Sequence, residues 1–165
     1  MEQYKVKLTK PHHPDFLEFL DKLWEELKCI DELRRSGHKQ PQDSIEKIKR
    51  VALVYNGAKA IGCGALTQDS SKVGAISRVF IDQSYRGNGV AGKAVSALET
   101  LASQDGLDFV RADILKGNSA SLTAFEKMGY TRYFDLAHLK NNSPEYGTFI
   151  HVVKHLKEKS HESCK

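Results

Sequence analysis

Hydrophobic and polar positions change period several times along the chain. Tyr4, Val6 and Leu8 alternate with polar residues, the two-residue repeat of a half-buried strand. Pro14 suits the first turn of a helix, and Phe16, Leu20, Leu23, Leu27 and Ile30 then recur at helical spacing on one long amphipathic helix. The polar stretch Arg34–Gln42, with Gly37 and Pro41, breaks that helix, and Asp43 caps a short predicted one carrying Ile45 and Ile48. Val51–Tyr55 and Lys59–Thr67 flank Asn56-Gly57, a pair that supplies the positive φ of a tight turn and predicts a hairpin. A turn at Asp69-Ser70-Ser71 leads into a third run of the same meander, Val73–Ile81.

The second half alternates helix and strand. A glycine loop opens a helix from Gly89 to Ser103 with Val90, Ala94, Leu98 and Leu101 as its apolar stripe, and Asp105-Gly106 ends it. Phe109–Leu115 reads as a strand interrupted by Arg111 and Asp113. Asn118 opens a helix carrying Leu122, Phe125 and Met128, which Gly129 stops. Strands over Thr131–Leu139 and Tyr146–Leu156, joined by the loop Lys140–Pro144, complete the order β-α-α-β-β-β-α-β-α-β-β. A hairpin-rich front followed by a strand–helix–strand crossover predicts an α/β (α+β) chain with a mixed sheet and helices on its faces. Neither an internal repeat nor a linker interrupts it, so 165 residues make one domain.

Composition narrows the function classes. The chain is 40% hydrophobic and 28% charged, ordinary for a globular protein. No apolar run approaches the roughly 18–20 residues of a membrane span, and MEQYKVKLTK lacks the apolar stretch of a secretion signal, so a cytoplasmic location is expected. Cys29, Cys63 and Cys164 are an odd, widely spaced set, which favours reduced thiols over a disulfide framework. The net charge of +4 favours anionic ligands in general but is too small to imply a nucleic-acid partner. His12-His13 and His151/His155 lack a spacing that would face one ion, so no metal is expected.

The informative segment is Gly87-Asn88-Gly89-Val90-Ala91-Gly92-Lys93-Ala94. Small residues let backbone N–H groups approach phosphate oxygens, and the following helix offers its positive end. As GxGxxG it would be a dinucleotide fingerprint, but Asp82 to Arg86 separate it from the preceding strand and the rest of the chain cannot complete a doubly wound fold. As GxxxxGK[ST] it would be a nucleotide P-loop, but Ala94 stands where a hydroxyl must hold magnesium. A glycine-rich helix entry without a ligand is the remaining plain reading.

The longer run Val79-Phe80-Ile81-Asp82-Gln83-Ser84-Tyr85-Arg86-Gly87-Asn88-Gly89-Val90-Ala91 resembles the signature of the GNAT superfamily of acetyl-CoA-dependent N-acetyltransferases. That signature is a strand, a short connection, then [QR]-x-x-G-x-[GA] opening a helix, and Arg86, Gly89 and Ala91 stand at its fixed positions. The run Asn118–Tyr130 resembles the family's next segment, in which an Asn opens a helix ending in aromatic-Glu-Lys-x-Gly-aromatic. The resemblance covers Leu53–Tyr130; the flanks agree by pattern alone.

The resemblance implies a single N-acetyltransferase domain over residues 1–156, with 157–165 as a flexible polar tail. It implies a mostly antiparallel mixed sheet whose central parallel strands, Val73–Ile81 and Phe109–Leu115, splay apart beside a β-bulge, with helices on both faces. Acetyl-CoA would be the co-substrate. Its pantetheine arm would lie along Val79, Phe80 and Ile81, and its pyrophosphate would rest on the amides of Gly87, Asn88, Gly89, Val90, Ala91 and Gly92. Asn118, Ser121 and Phe125 would meet it from the other side, while Arg86 would either add charge at the phosphates or make a structural bond across the loop. A primary amine would attack the thioester directly, with a strand N–H near Phe80 or Ile81 as oxyanion donor.

Two departures from the family pattern bear on chemistry. Phe125 stands where many members carry a Tyr acid, and Ala75 and Ser77 occupy positions where relatives carry a Glu base. Asp113 and His151 are the replacement base candidates, Tyr130 and Tyr133 the acid candidates. A relative that binds the coenzyme without catalysis is therefore the rival expectation. Acceptor specificity would come from Leu27–Asp43 and Lys140–Thr148. Arg34, Arg35, His38 and Lys39 there favour an amine that also bears a carboxylate or phosphate, or else form a solvated charged turn. The chain is expected to be a monomer or homodimer.

Overall fold

The computed structural model describes residues 4–29, 40–133 and 149–156. In chain order these form β1 (Lys5–Thr9), α1 (Pro14–Leu27), β2 (Arg50–Asn56), β3 (Lys59–Gln68), β4 (Val73–Ile81), α2 (Val90–Gln104), β5 (Phe109–Leu115), α3 (Ser119–Lys127), β6 (Thr131–Arg132) and β7 (Phe149–His155). Single 3₁₀ turns cover Ile45–Lys47 and Gln83–Tyr85. The strands make one sheet in the order β1-β2-β3-β4-β5-β7-β6, antiparallel throughout except for the β4–β5 pair.

Alternation along β2 assigns the two faces. Val51 and Leu53 pack with Phe16, Phe19 and Leu20 of α1, whereas Ala52 and Val54 pack with Val90, Ala94, Val95, Leu98 and Ala102 of α2 and with Phe125 of α3. A strand covered on both sides has no reason to alternate with polar residues, which is why Val51-Ala52-Leu53-Val54 reads as an unbroken apolar run. The fold is the predicted one: helices on both faces of a mixed, mostly antiparallel sheet.

Four local expectations change. Val6 and Leu8 are 37% and 43% exposed, because β1 is an edge strand at the margin of the helices that cover the sheet. The short helix after Asp43 is one 3₁₀ turn capped by Ser44; Asp43 instead accepts from the Gln40 N–H at 3.0 Å, and Ile48 is already extended toward β2. One turn is all the chain that remains, too little to offset helix nucleation. Asn56 pairs with Lys59, so the hairpin turn is Gly57-Ala58, with Gly57 at φ +63° in the first central position. The stripe of α2 buries Val95 and Ala102 rather than Leu101, which is partly exposed. The expected continuation of α1 to Ile30, the basic residues 34–39, the strand beyond Tyr133, the loop 140–144 and the tail 157–165 lie outside the described residues.

Two irregularities in the centre of the sheet make room for a site. The β4–β5 ladder registers Val73 with Phe109, Gly74 with Val110 and Ala75 with Arg111, and goes no further. On its other side β4 carries a bulge: Ser77 faces Ala65 and Phe80 faces Cys63, so Arg78 and Val79 together oppose Gly64. Arg78 takes φ +55° to do so.

Candidate active site

The site is built where β4 ends. Asp82 caps the 3₁₀ turn, its carboxylate accepting from both the N–H and the hydroxyl of Ser84 at 3.1 Å. The Ser84 hydrogen bonds hold that carboxyl below its ordinary pKa, against a smaller opposing effect of burial. The five residues between strand and glycine loop thus have a job, which is to turn the chain. Asn88 then closes the loop by donating its side-chain amide to the Tyr85 carbonyl at 3.1 Å. Gly87 and Gly89 adopt φ +84° and +77°, where an L side chain is strained.

The start of α2 differs from those of the other two helices. In α1 the His13 ring accepts from the Asp15 N–H at 3.1 Å, and in α3 the Asn118 side chain accepts from the Ser121 N–H at 3.3 Å. In α2 the cap is Gly89, no side chain caps the helix, and no acidic residue occupies its first turn. Its leading N–H groups and the positive helix end are left for something else, and an anion suits them.

These groups open on a cavity of about 650 Å³. Val79, Phe80 and Ile81 of β4 form one wall, and Arg86, Gly87, Gly89, Val90, Ala91 and Gly92 form the floor. Asn118, Ser121 and Phe125 stand opposite with Gly117. Every residue expected to hold the coenzyme therefore lines one space, except Asn88, whose side chain points back into its own loop. A Cβ built on Gly87, Gly89 or Gly92 would meet no atom within 4 Å, so bare backbone faces open space there, as a diphosphate would require. Of the two readings of Arg86, the cross-loop bond is the one present: its Nε donates to the Ile81 carbonyl at 2.8 Å.

The third wall escaped the sequence reading. Leu23, Glu26 and Leu27 of α1 border the cavity, and Glu26 Oε2 meets Arg86 Nη2 at 2.5 Å while the guanidinium lies over the Phe80 ring. Leu23 had a helical spacing that signalled burial only, and Leu27 opened the segment expected to frame the acceptor rather than this cavity. Nothing in the sequence tied Glu26 to an arginine sixty residues away. The φ of Arg78 carried no signal either.

The candidate acids and bases lie elsewhere, none of them lining the cavity. Tyr130 is buried edge-on against Phe125, and its hydroxyl donates to Glu99 at 2.7 Å. Burial, with Glu99 beside it, pushes its pKa far above the ordinary phenol value. Asp113, His151 and Tyr133 gather on the far side of the split, His151 Nδ1 lying 2.6 Å from Asp113 Oδ1 and the Tyr133 N–H donating to the His151 carbonyl. Among the described residues no group of three or more His, Cys, Asp or Glu could hold a metal, and no helix is long and apolar enough to cross a membrane.

Residues 15–130 match the Acetyltransferase (GNAT) family. The chain belongs to that family. Its members use acetyl-CoA as co-substrate. No curated protein matches the GNAT chain described here. Among solved structures, one from Klebsiella pneumoniae assigned as an acyl-CoA N-acyltransferase is 20% identical, with a TM-score of 0.76 over 94% of this chain and 99% of that one. A GNAT family acetyltransferase from Elizabethkingia anophelis with acetyl-CoA bound is 15% identical, with a TM-score of 0.67 over 94% and 100%. An acetyltransferase from Streptococcus agalactiae is 18% identical, with a TM-score of 0.67 over the same shares. At these identities the structures share the fold.

Proposed function

We propose that this GNAT chain transfers an acetyl group from acetyl-CoA to a primary amine by direct attack within a ternary complex. The observation that carries the reading is the uncapped start of α2 beside Gly87 and Gly89, opening on a cavity whose back wall is the end of β4, beyond its last pairing with β5. The amides from Gly87 to Gly92 would hold the diphosphate, Asn88 contributing its main chain only. Pantetheine would run along Val79, Phe80 and Ile81 as an added strand, because β4 has lost its β5 partner beyond Ala75. Asn118, Ser121 and Phe125 would face it across the gap.

The residues' chemical work is mainly positioning. A main-chain N–H at Phe80 or Ile81 would receive the charge that develops on the thioester oxygen, and holding both reactants together supplies much of the acceleration. Phe125 has no hydroxyl and the Tyr130 hydroxyl is bonded to Glu99, so neither of these aromatic side chains gives a proton to the departing sulfur. A thiolate leaves acceptably without that help. The same observation favours the second reading, a module that binds the coenzyme without turnover.

The acceptor would enter near segment 40–43, in solution rather than at a membrane, and the reading needs no nucleic acid or metal. The cytoplasm is the compartment proposed for it, with the protein a monomer or homodimer. The test is coenzyme binding by calorimetry together with release of free CoA thiol in the presence of amines, amino acids, peptides and aminoglycosides. Binding with acceptor-dependent release is expected. Tight binding with no release for any class would move the chain to the second reading; stabilisation by ATP-magnesium but not by acetyl-CoA would overturn both.

A further inference from the structure

We propose that Lys127 and the Thr123 hydroxyl form a second phosphate subsite, one that takes the 3′-phosphate on the ribose of CoA; this rests on the coenzyme placement proposed above. CoA carries more than a thiol arm on a diphosphate. Its ribose bears a further phosphomonoester, with a charge of about −1.5 to −2 at neutral pH and oxygens that accept strong hydrogen bonds. The amides of the glycine loop answer the diphosphate, so the 3′-phosphate needs partners of its own.

The charged side chains that line the cavity are Glu26, Arg86 and Lys127. Glu26 and Arg86 bond each other, and Arg86 Nε is committed to the Ile81 carbonyl. Their charges offset, which leaves Lys127 as the uncompensated one. Carboxylates on the neighbouring elements are engaged elsewhere: Glu126 accepts from Arg132 Nε at 3.0 Å, and Glu99 accepts from Tyr130 and Lys154. Among the described residues neither Lys127 nor the Thr123 hydroxyl has a hydrogen-bond or ion-pair partner. A helical threonine can return its hydroxyl to a carbonyl of the preceding turn, and this one does not. A spacing of four places the two side chains on one face of α3, and both line the cavity.

Their position along the helix selects the nucleotide end of the coenzyme. The cavity follows the nine residues of α3 from Gly117 and Asn118 just before it to Lys127 and Met128 at its end, a run of about 13 Å. Asn118 comes soon after β5, at the end where that strand has left β4. An arm lying along Val79–Ile81 would therefore pass the start of α3, and the nucleotide half, beyond the glycine loop, would lie toward its end. Lys127 also stands in the last turn, where a cation offsets the negative helix end. That role would change stability and leave the choice of ligand alone.

The test is calorimetry on the full chain with CoA and 3′-dephospho-CoA, which differ by this one phosphate. Parent, Lys127→Gln, Lys127→Arg and Thr123→Ala are compared, with Lys7→Gln on the edge strand as a control for net charge. The parent should bind CoA about 5- to 20-fold more tightly than 3′-dephospho-CoA at low salt, as exposed charge-assisted contacts allow. Lys127→Gln should cut that preference to about twofold or less by weakening CoA alone, Lys127→Arg should keep most of it, and Thr123→Ala should lose part. Raising salt from about 0.05 M to about 0.5 M should shrink the parent's preference toward that of Lys127→Gln. A parent preference below twofold overturns the proposal. So does a preference that Lys127→Gln leaves within twofold of the parent's, the pattern of a helix-end charge, or one that Lys7→Gln lowers equally. If the parent binds neither compound, the coenzyme placement itself fails.

Discussion

Gly92 separates the two roles of a helix start, folding and anion binding, because one substitution should move them in opposite directions. It lies in the first turn of α2, lines the cavity, and has none of the positive φ of Gly87 and Gly89. A Cβ there meets nothing within 4 Å. Gly92→Glu therefore replaces a poor helix former with a better one, worth about 0.5 kcal/mol, and places a carboxylate at the positive helix end, worth about 0.3–1 kcal/mol. The free protein should gain about 1 kcal/mol, raising its melting temperature by about 2–4 °C for a domain of this size. A carboxylate about 5 Å from a diphosphate, at an effective dielectric of about 20, costs about 3 kcal/mol per charge pair. That is roughly a hundredfold loss of affinity. Thermal melts of the free protein and calorimetry with CoA read the two effects separately, and Gly92→Ala should show the stabilisation with little loss of affinity. A Glu variant that binds CoA as tightly as the Ala variant, or that melts below the parent, refutes the placement of the diphosphate.

Three further outcomes follow from the packing and charges around the same strands. Gly62→Ala puts a Cβ 2.7 Å from Ile81 Cδ1, which can turn aside, and 3.0 Å from Val90 Cγ1, which is buried and must give, so urea titration should show a loss of about 1 kcal/mol. Glu26→Gln breaks an exposed ion pair with Arg86, which should cost under about 1 kcal/mol while tightening CoA severalfold by removing a carboxylate from the cavity wall. Burial pushes the Cys63 thiol up from 9.0 to about 12, so between those values the native state keeps a proton that the unfolded chain has lost. Stability should be intact below pH 9 and then fall by about 1.4 kcal/mol per pH unit, a slope that Cys63→Ala should flatten in urea titrations at pH 8, 9 and 10.

The parts of this fold that were legible in the sequence are those set by local chemistry. The apolar run of β2, the α2 stripe from Val90 to Leu98 and the Asn118 cap each carry their own physical signature, a period or a side-chain acceptor at a helix start. The cavity floor was legible for the same reason, since Gly87 and Gly89 are where only glycine sits without strain. What stayed hidden depends on partners far away in the chain. Asp113 and His151 look like isolated polar interruptions of two strands until the β5–β7 register sets them face to face. Glu26 is one acid among several on the polar side of α1 until the helix lies against the loop. Asp43 was misread because a cap residue looks alike whether it begins a helix or closes a turn, and the few residues before β2 decide which.

Arg78 explains how the split can persist. A non-glycine residue at φ +55° within a strand costs about 1–3 kcal/mol and survives only where its surroundings hold it. Here its Nε donates to the Pro41 carbonyl at 2.7 Å and its Nη2 to the Asp43 carbonyl at 2.8 Å, while the Arg78 carbonyl accepts from the Cys63 thiol at 3.4 Å. Hydrogen bonds from a charged donor are worth about 1.5–3 kcal/mol each, so the two guanidinium contacts are enough to offset the strain. The geometry they hold is not a local matter. By placing two β4 residues against one of β3, the bulge redirects Val79, Phe80 and Ile81 relative to β5, and these three form the cavity wall. The segment 40–43 is thereby fastened to the strand that shapes the coenzyme cavity. A change in that segment that pulls on Pro41 or Asp43 acts on β4 through the guanidinium, so the proposed acceptor approach and the proposed coenzyme wall are joined at one side chain.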